Sequence, residues 1–129
     1  MKVLMFNESG RICLLRMFIS HEAETVERTR TDDLDYFMRV KLAEQPGCDY
    51  IFDFSDVAPL TVHDHKMFET VVRMMAVAGA VPIIFSDDAK VLKELRDGLP
   101  AQLTVIIVEG QEEAIRRAME PKIGQKHHT

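Results

Sequence analysis

The pattern of apolar and polar positions predicts an α/β protein arranged around one buried strand. Apolar and aromatic side chains occupy the positions from Tyr50 to Phe54 almost continuously, and Asp53 is the one exception. A run of this kind is typical of a strand that is covered on both faces. We therefore expect this strand to lie inside the sheet.

An amphipathic helix is predicted after this strand. Thr61 is a suitable N-cap, and Asp64 stands three positions later, where a capping box has its second member, although Glu or Gln is more usual there. Apolar residues then recur every three to four positions until Gly79, which is expected to end the helix. These residues are Met67, Phe68, Val71, Val72, Met75 and Ala78.

Two β-type segments open the chain. They span Met1 to Phe6 and Arg11 to Ile19, and the residues between them, Asn7 to Gly10, suit a tight hairpin turn. We predict an antiparallel pair whose second member, interrupted by Arg16, lies well inside the sheet. The polar stretch 20–31 is predicted to be a loop or a solvated approach to a helix.

The next helix is predicted to start at an N-cap on Thr31, with Asp32 and Asp33 in its first turn, where negative charge suits the helix dipole. It should end before Pro46. Its apolar side consists of Leu34, Phe37, Met38 and Leu42.

The second half of the chain repeats a strand-helix pattern. Strands are predicted at Val81 to Phe85 and at Leu103 to Val108, and a final helix at Gln111 to Met119. Ser86 is expected to cap the intervening helix, which Gly98 should end. Inward positions are predicted at Ala89, Leu92, Leu95 and Leu99 in the first of these helices, and at Ala114, Ile115, Ala118 and Met119 in the second.

The resulting order is β-β-α-β-α-β-α-β-α, which predicts a mixed, mostly parallel sheet covered by helices through right-handed crossovers. We expect residues 1–120 to form a single domain, followed by a flexible C-terminal tail at 121–129. A length of 129 residues, 47% hydrophobic residues and 29% charged residues suit one soluble globular unit.

Charge and cysteine content narrow the class of function. The formal charge of -5 and the lack of a basic cluster disfavour nucleic acid as a partner. The chain has two cysteines, Cys13 and Cys48, which are too few and wrongly spaced for a disulfide scaffold or a metal knuckle. No apolar run approaches membrane-spanning length. We expect a cytoplasmic protein without a membrane span or cofactor.

Three segments and the order of elements give the chain a family resemblance. The segments are YIFDFSDVAPL, VAGAVPIIF and LTVIIVEGQEEAIRRAM, and together with the opening hairpin they cover roughly Val3 to Met119. In these respects the sequence resembles a STAS domain, the fold of bacterial anti-sigma factor antagonists and of the cytoplasmic tails of sulfate transporters. The resemblance implies a non-enzymatic regulatory module that binds an anti-sigma factor or a kinase, and it leaves a homodimer open.

The regulatory signature of that family is altered in this chain. In the family, an Asp-Ser-Ser/Thr-Gly motif follows the central strand, and its second hydroxyl is phosphorylated. Aligned without gaps, the motif falls on Thr61 to Asp64, so that His63 replaces the target hydroxyl and Asp64 replaces the glycine. The resemblance therefore implies protein-protein regulation without the usual serine switch.

A polar loop that leads from a buried strand into a helix N-terminus is where open α/β sheets place their working groups. We therefore expect a partner to dock on residues 55–66. The residues predicted to form this surface are Ser55, Asp56, Thr61, His63, Asp64, His65 and Lys66.

Other functions remain open at the same site. His63 and His65 suggest a metal ligand set or an enzyme, but on a helix they point about 200° apart and no third ligand is evident. A further alternative is that His63 accepts a phosphoryl group, because a helix N-terminus favours an anion. For Asp53, we favour an outward position or a bond to nearby backbone over a catalytic role. The alternative from another class is a small-molecule or lipid-binding domain with an apolar pocket between sheet and helices.

Overall fold

The computed structural model describes residues 2–9, 11–18, 32–45, 47–55 and 60–120. Within these ranges the chain forms one six-stranded sheet and four helices. Strands β1 to β6 span Lys2–Ser9, Ile12–Phe18, Asp32–Asp33, Asp49–Asp53, Ile83–Phe85 and Ile106–Val108. Helices α1 to α4 span Leu34–Glu44, Val62–Val77, Ala89–Gly98 and Gln111–Met119.

The sheet is mixed and mostly parallel, as predicted. Its strand order is β3-β1-β2-β4-β5-β6. Strand β1 runs antiparallel to both of its neighbours, whereas β2, β4, β5 and β6 are parallel to one another. The inner positions predicted for β2 and β4 are therefore confirmed.

The direction of the crossovers explains where the helices lie. The strands β2, β4, β5 and β6 advance across the sheet in one direction, so right-handed crossovers place all the connecting helices on the same face. The buried side chains of α1, α2 and α3 accordingly share one core layer. Helix α4 follows the last strand and packs with Ala114 and Ala118 in a second, smaller layer.

Strand β4 contributes to both layers. Tyr50 and Phe52 lie in the larger layer and Ile51 lies in the smaller one, and all three are 0% exposed. The ring of Phe68 from α2 makes edge-to-face contacts with Phe52 and Phe54, at centroid distances of 5.6 and 5.0 Å. The hydroxyl of Tyr50 lies 3.3 Å from the carbonyl of Lys41 and 3.0 Å from that of Gln45, where α1 ends.

Two predictions at the start of the chain are wrong. Asn7 to Ser9 belong to β1, which continues into the predicted turn after an irregularity in register between Met5 and Asn7. Asp32 and Asp33 form β3 instead of a first helical turn, because their backbone pairs with the edge of β1. Thr31, the stretch 20–31 and the tail 121–129 lie outside the described residues.

The predicted helix faces need smaller corrections. The N-cap of α3 is Asp88 and not Ser86, since the carboxylate of Asp88 accepts the amide of Lys90 at 2.9 Å. Val91 joins Leu95 as a buried residue of this helix, whereas Ala89 is exposed. Two residues that were predicted to face inward are exposed at helix ends. They are Ala78 and Met119.

None of the helices within the described ranges combines the length and the apolar character that crossing a membrane requires.

We predict that Phe68→Ala lowers the free energy of unfolding by about 3–5 kcal/mol, because it removes a ring that is 1% exposed and packed against two other rings. Urea unfolding followed by circular dichroism measures this loss. Val77→Ala on the same helix is the control, since Val77 is 91% exposed and its truncation should change stability by no more than about 0.5 kcal/mol. Similar losses for the two variants would contradict this packing.

Candidate functional site at the start of helix α2

A reciprocal capping box fixes the start of α2. The hydroxyl of Thr61 accepts the amide of Asp64 at 3.1 Å, and the carboxylate of Asp64 accepts the amide of Thr61 at 3.0 Å. Both members predicted from the sequence are confirmed, including the short Asp in place of Glu or Gln. Asp64 is 4% exposed. Its carboxylate therefore holds the helix start from inside and contributes only indirectly to any surface contact.

The side chains around this cap form a small exposed surface, which we call the α2 tip and define as residues 61–66. Thr61, His63 and Lys66 are exposed, and Val62 is 71% exposed. The first amides of a helix carry a partial positive charge, and Lys66 adds a full one. The surface of the α2 tip therefore presents the positive charge of Lys66 beside the apolar side chain of Val62, while the buried carboxylate of Asp64 offsets the positive helix end.

His65 faces a different neighbour from the rest of the α2 tip. It is half-buried, and its ring lies so close to Gly98 that a Cβ atom placed on Gly98 would be 2.8 Å from His65 Nδ1. The start of α2 thus contacts the end of α3. Sequence reasoning missed this contact, because Gly98 has a sufficient local explanation as a helix terminator.

Ser55 belongs to a hydrogen-bond network at the carboxyl ends of β4 and β5. Its amide donates to Asp53 Oδ1 at 2.8 Å, and its hydroxyl accepts the amide of Asp87 at 3.4 Å. The hydroxyl of Ser86 donates to the carbonyl of Phe54 at 3.1 Å and accepts the amide of Asp88 at 3.0 Å. Ser55 is half-buried within this network, and Asp56 lies outside the described residues.

Asp53 is held by backbone and by a neighbouring charge. It is 6% exposed and, besides the amide of Ser55, its carboxylate lies 3.7 Å from Arg16 Nε. Arg16 and Asp53 are register partners on β2 and β4. The predicted bond from Asp53 to nearby backbone is confirmed. The pairing with Arg16 was missed, although a single charge interrupts the apolar run of each strand.

The arrangement offers no assembled metal centre in the described part of the chain. No group of three or more His, Cys, Asp or Glu side chains lies close enough together there to hold a metal ion. His63 is exposed while His65 packs against Gly98. His127 and His128 lie outside the described residues.

Comparison of the chain with protein-family models, with curated proteins and with solved structures finds no match.

We predict that Thr61→Ala costs about 1 kcal/mol of stability, because it removes the side-chain acceptor of the Asp64 amide. Thr61→Ser keeps that oxygen and should retain most of the stability. Urea unfolding of the two variants beside the unaltered protein measures the difference. Equal stability of all three proteins would argue against the capping box.

The contact between α2 and α3 generates a second prediction. Gly98→Ala in the unaltered protein should gain little or lose stability, because the new Cβ meets the His65 ring. In a His65→Ala background the same change should stabilise by about 0.5–1 kcal/mol, through the better helix propensity of Ala. A double-mutant cycle from thermal or urea unfolding isolates this coupling. Additive effects would show that the two residues do not touch.

Proposed function

We propose that this chain is a non-enzymatic regulatory module of STAS type that docks a partner protein through the α2 tip. The proposal rests on the exposure of Val62. This apolar side chain is 71% exposed at a helix start that a capping box holds in place. A fixed apolar side chain among polar neighbours loses little conformational freedom on binding, which favours its use as an interface anchor.

The charge of the α2 tip indicates the kind of partner. Lys66 is positive and exposed, whereas the carboxylate of Asp64 lies inside the cap and offsets the partial positive charge of the helix N-terminus. An acidic patch that surrounds an apolar pocket on the partner complements this surface. We propose an anti-sigma factor or a kinase in the cytoplasm as the partner, in keeping with the STAS resemblance and with the place of its regulatory motif on residues 61–64.

His63 stands where the family carries its phosphorylated hydroxyl. An imidazole has no hydroxyl, so this position does not carry the usual serine switch. The hydroxyl of Thr61 is committed to the amide of Asp64. We therefore favour docking through the exposed side chains of the α2 tip over phosphorylation of Thr61.

The alternative, an apolar ligand pocket between sheet and helices, has less support. The side chains of the larger core layer pack closely, and those of Phe52, Phe54, Phe68 and Met75 are at most 1% exposed.

The docking proposal is tested with variants that place negative charge on the α2 tip. Val62→Asp and His63→Glu should abolish capture of the partner. The first variant removes the apolar anchor, and both variants add a negative charge beside Lys66. Acidic side chains in the first turn of a helix are stabilising, so a loss of binding would not reflect unfolding. Capture of partners from cell extract on each immobilised variant, quantified by mass spectrometry, provides the measurement.

The matched control is Val77→Asp. Val77 lies at the opposite end of α2, roughly 22 Å from Val62 along the helix axis, and it is 91% exposed. The proposal expects at least one protein that is retained by the unaltered chain and by Val77→Asp but lost from both α2 tip variants. Equal retention by all four proteins would place the interface elsewhere.

A further inference from the structure

A cleft of about 430 Å³ lies between α3 and the edge strand β6. Its apolar wall includes Leu92 of α3 and Ile107 of β6, both half-buried. This volume falls in the range of small-molecule sites, which is roughly 300–1,000 Å³. The cleft also adjoins the carboxyl ends of β5 and β6, the side of parallel strands on which α/β proteins bind ligands.

Two cations enter the cleft from α3. Lys93 and Arg96 are three residues apart, which makes them neighbours on one face of the helix. Both are exposed, and long helical side chains lean towards the N-terminus of their helix. The ammonium and guanidinium groups can therefore act together on one anionic group.

Two carboxylates enter the cleft from the strand ends. Phe85 and Val108 are register partners at the ends of β5 and β6, and Asp87 and Glu109 follow them in the chain. Both acidic residues are exposed. The strand ends thus supply negative charge to the same cleft that α3 supplies with positive charge.

These four charges are not neutralised by one another. Across the described ranges, the side chains of Lys93, Arg96, Asp87 and Glu109 form no ion pair and no hydrogen bond, although the backbone amide of Asp87 donates to Ser55. The cleft therefore has no net charge but offers separate sites for an anion and for a cation beside an apolar wall. A polyanion would be repelled by the carboxylates, and a purely apolar ligand would leave all four charges unused.

We propose that this cleft binds a small zwitterion of the amino-acid class with an apolar side chain. The carboxylate of the ligand lies against Lys93 and Arg96, its ammonium group lies against Asp87 and Glu109, and its side chain contacts Leu92 and Ile107. This site shares no lining residue with the α2 tip.

The test is a titration of the isotope-labelled full chain, monitored by amide chemical shifts in nuclear magnetic resonance spectra. Leucine, methionine and phenylalanine are the zwitterionic probes, at up to roughly 10 mM. Isocaproate and isoamylamine are leucine without its ammonium and without its carboxylate. We expect shifts at the ends of β5 and β6 and along α3, with leucine binding at least about tenfold more tightly than either analogue.

Variants of exposed residues distinguish the two charge sites. Arg96→Gln should weaken the binding of leucine and of isocaproate by about tenfold and leave the binding of isoamylamine unchanged. Glu109→Gln should weaken the binding of leucine and of isoamylamine by about tenfold and leave the binding of isocaproate unchanged. Arg117→Gln on α4 is the control and should alter none of the three. Equal affinity for leucine and both analogues, no shift at the cleft with any of the amino acids, or unchanged binding in both cleft variants would overturn the proposal.

Discussion

The burial of β4 on both faces is the constraint on which the rest of the structure depends. A strand whose side chains are mostly apolar on both faces cannot leave either face to water, so helices must cover both. The three crossover helices supply the larger layer, and α4 must return to the opposite face to supply the smaller one. Where β4 leaves the sheet, the same burial requires partners for its polar groups, and Asp53, Ser55 and Ser86 provide them.

This constraint also explains which parts of the fold could be predicted from the sequence. Periodicity and capping are local properties, so the inner strand, the capping box of α2 and the bounds of α4 followed from the residues themselves. The position of Asp32 and Asp33 depends on the open edge of β1, which lies far away in sequence. Two aspartates before a helical pattern suit the first turn of a helix. Here they form a strand because β1 offers its backbone for pairing.

The candidate site likewise has features that follow from the local sequence and features that depend on packing between distant elements. Exposure of Val62, His63 and Lys66 follows from helical spacing once Thr61 is the cap. The burial of Asp64 follows from its role in that cap, and this makes it a poor contact residue although it is close to the others in sequence. The approach of His65 to Gly98 and the cleft beside β6 depend on how α3 lies on the sheet, which no local pattern specifies. The pairing of Arg16 with Asp53 is predictable in part. Opposite charges in two apolar runs indicate an ion pair once the two strands are known to be neighbours.

Helix α3 links the two regions physically. At its end Gly98 lies against His65 of the α2 tip, and along its side Lys93 and Arg96 line the cleft. The helix has ten residues, and its buried anchors are Val91 and Leu95. A helix of ten residues is about 15 Å long, so both contacts lie on one short element. The absence of a side chain at position 98 is what leaves the imidazole room beside the helix end, and a Cβ atom there would meet His65 Nδ1 at 2.8 Å.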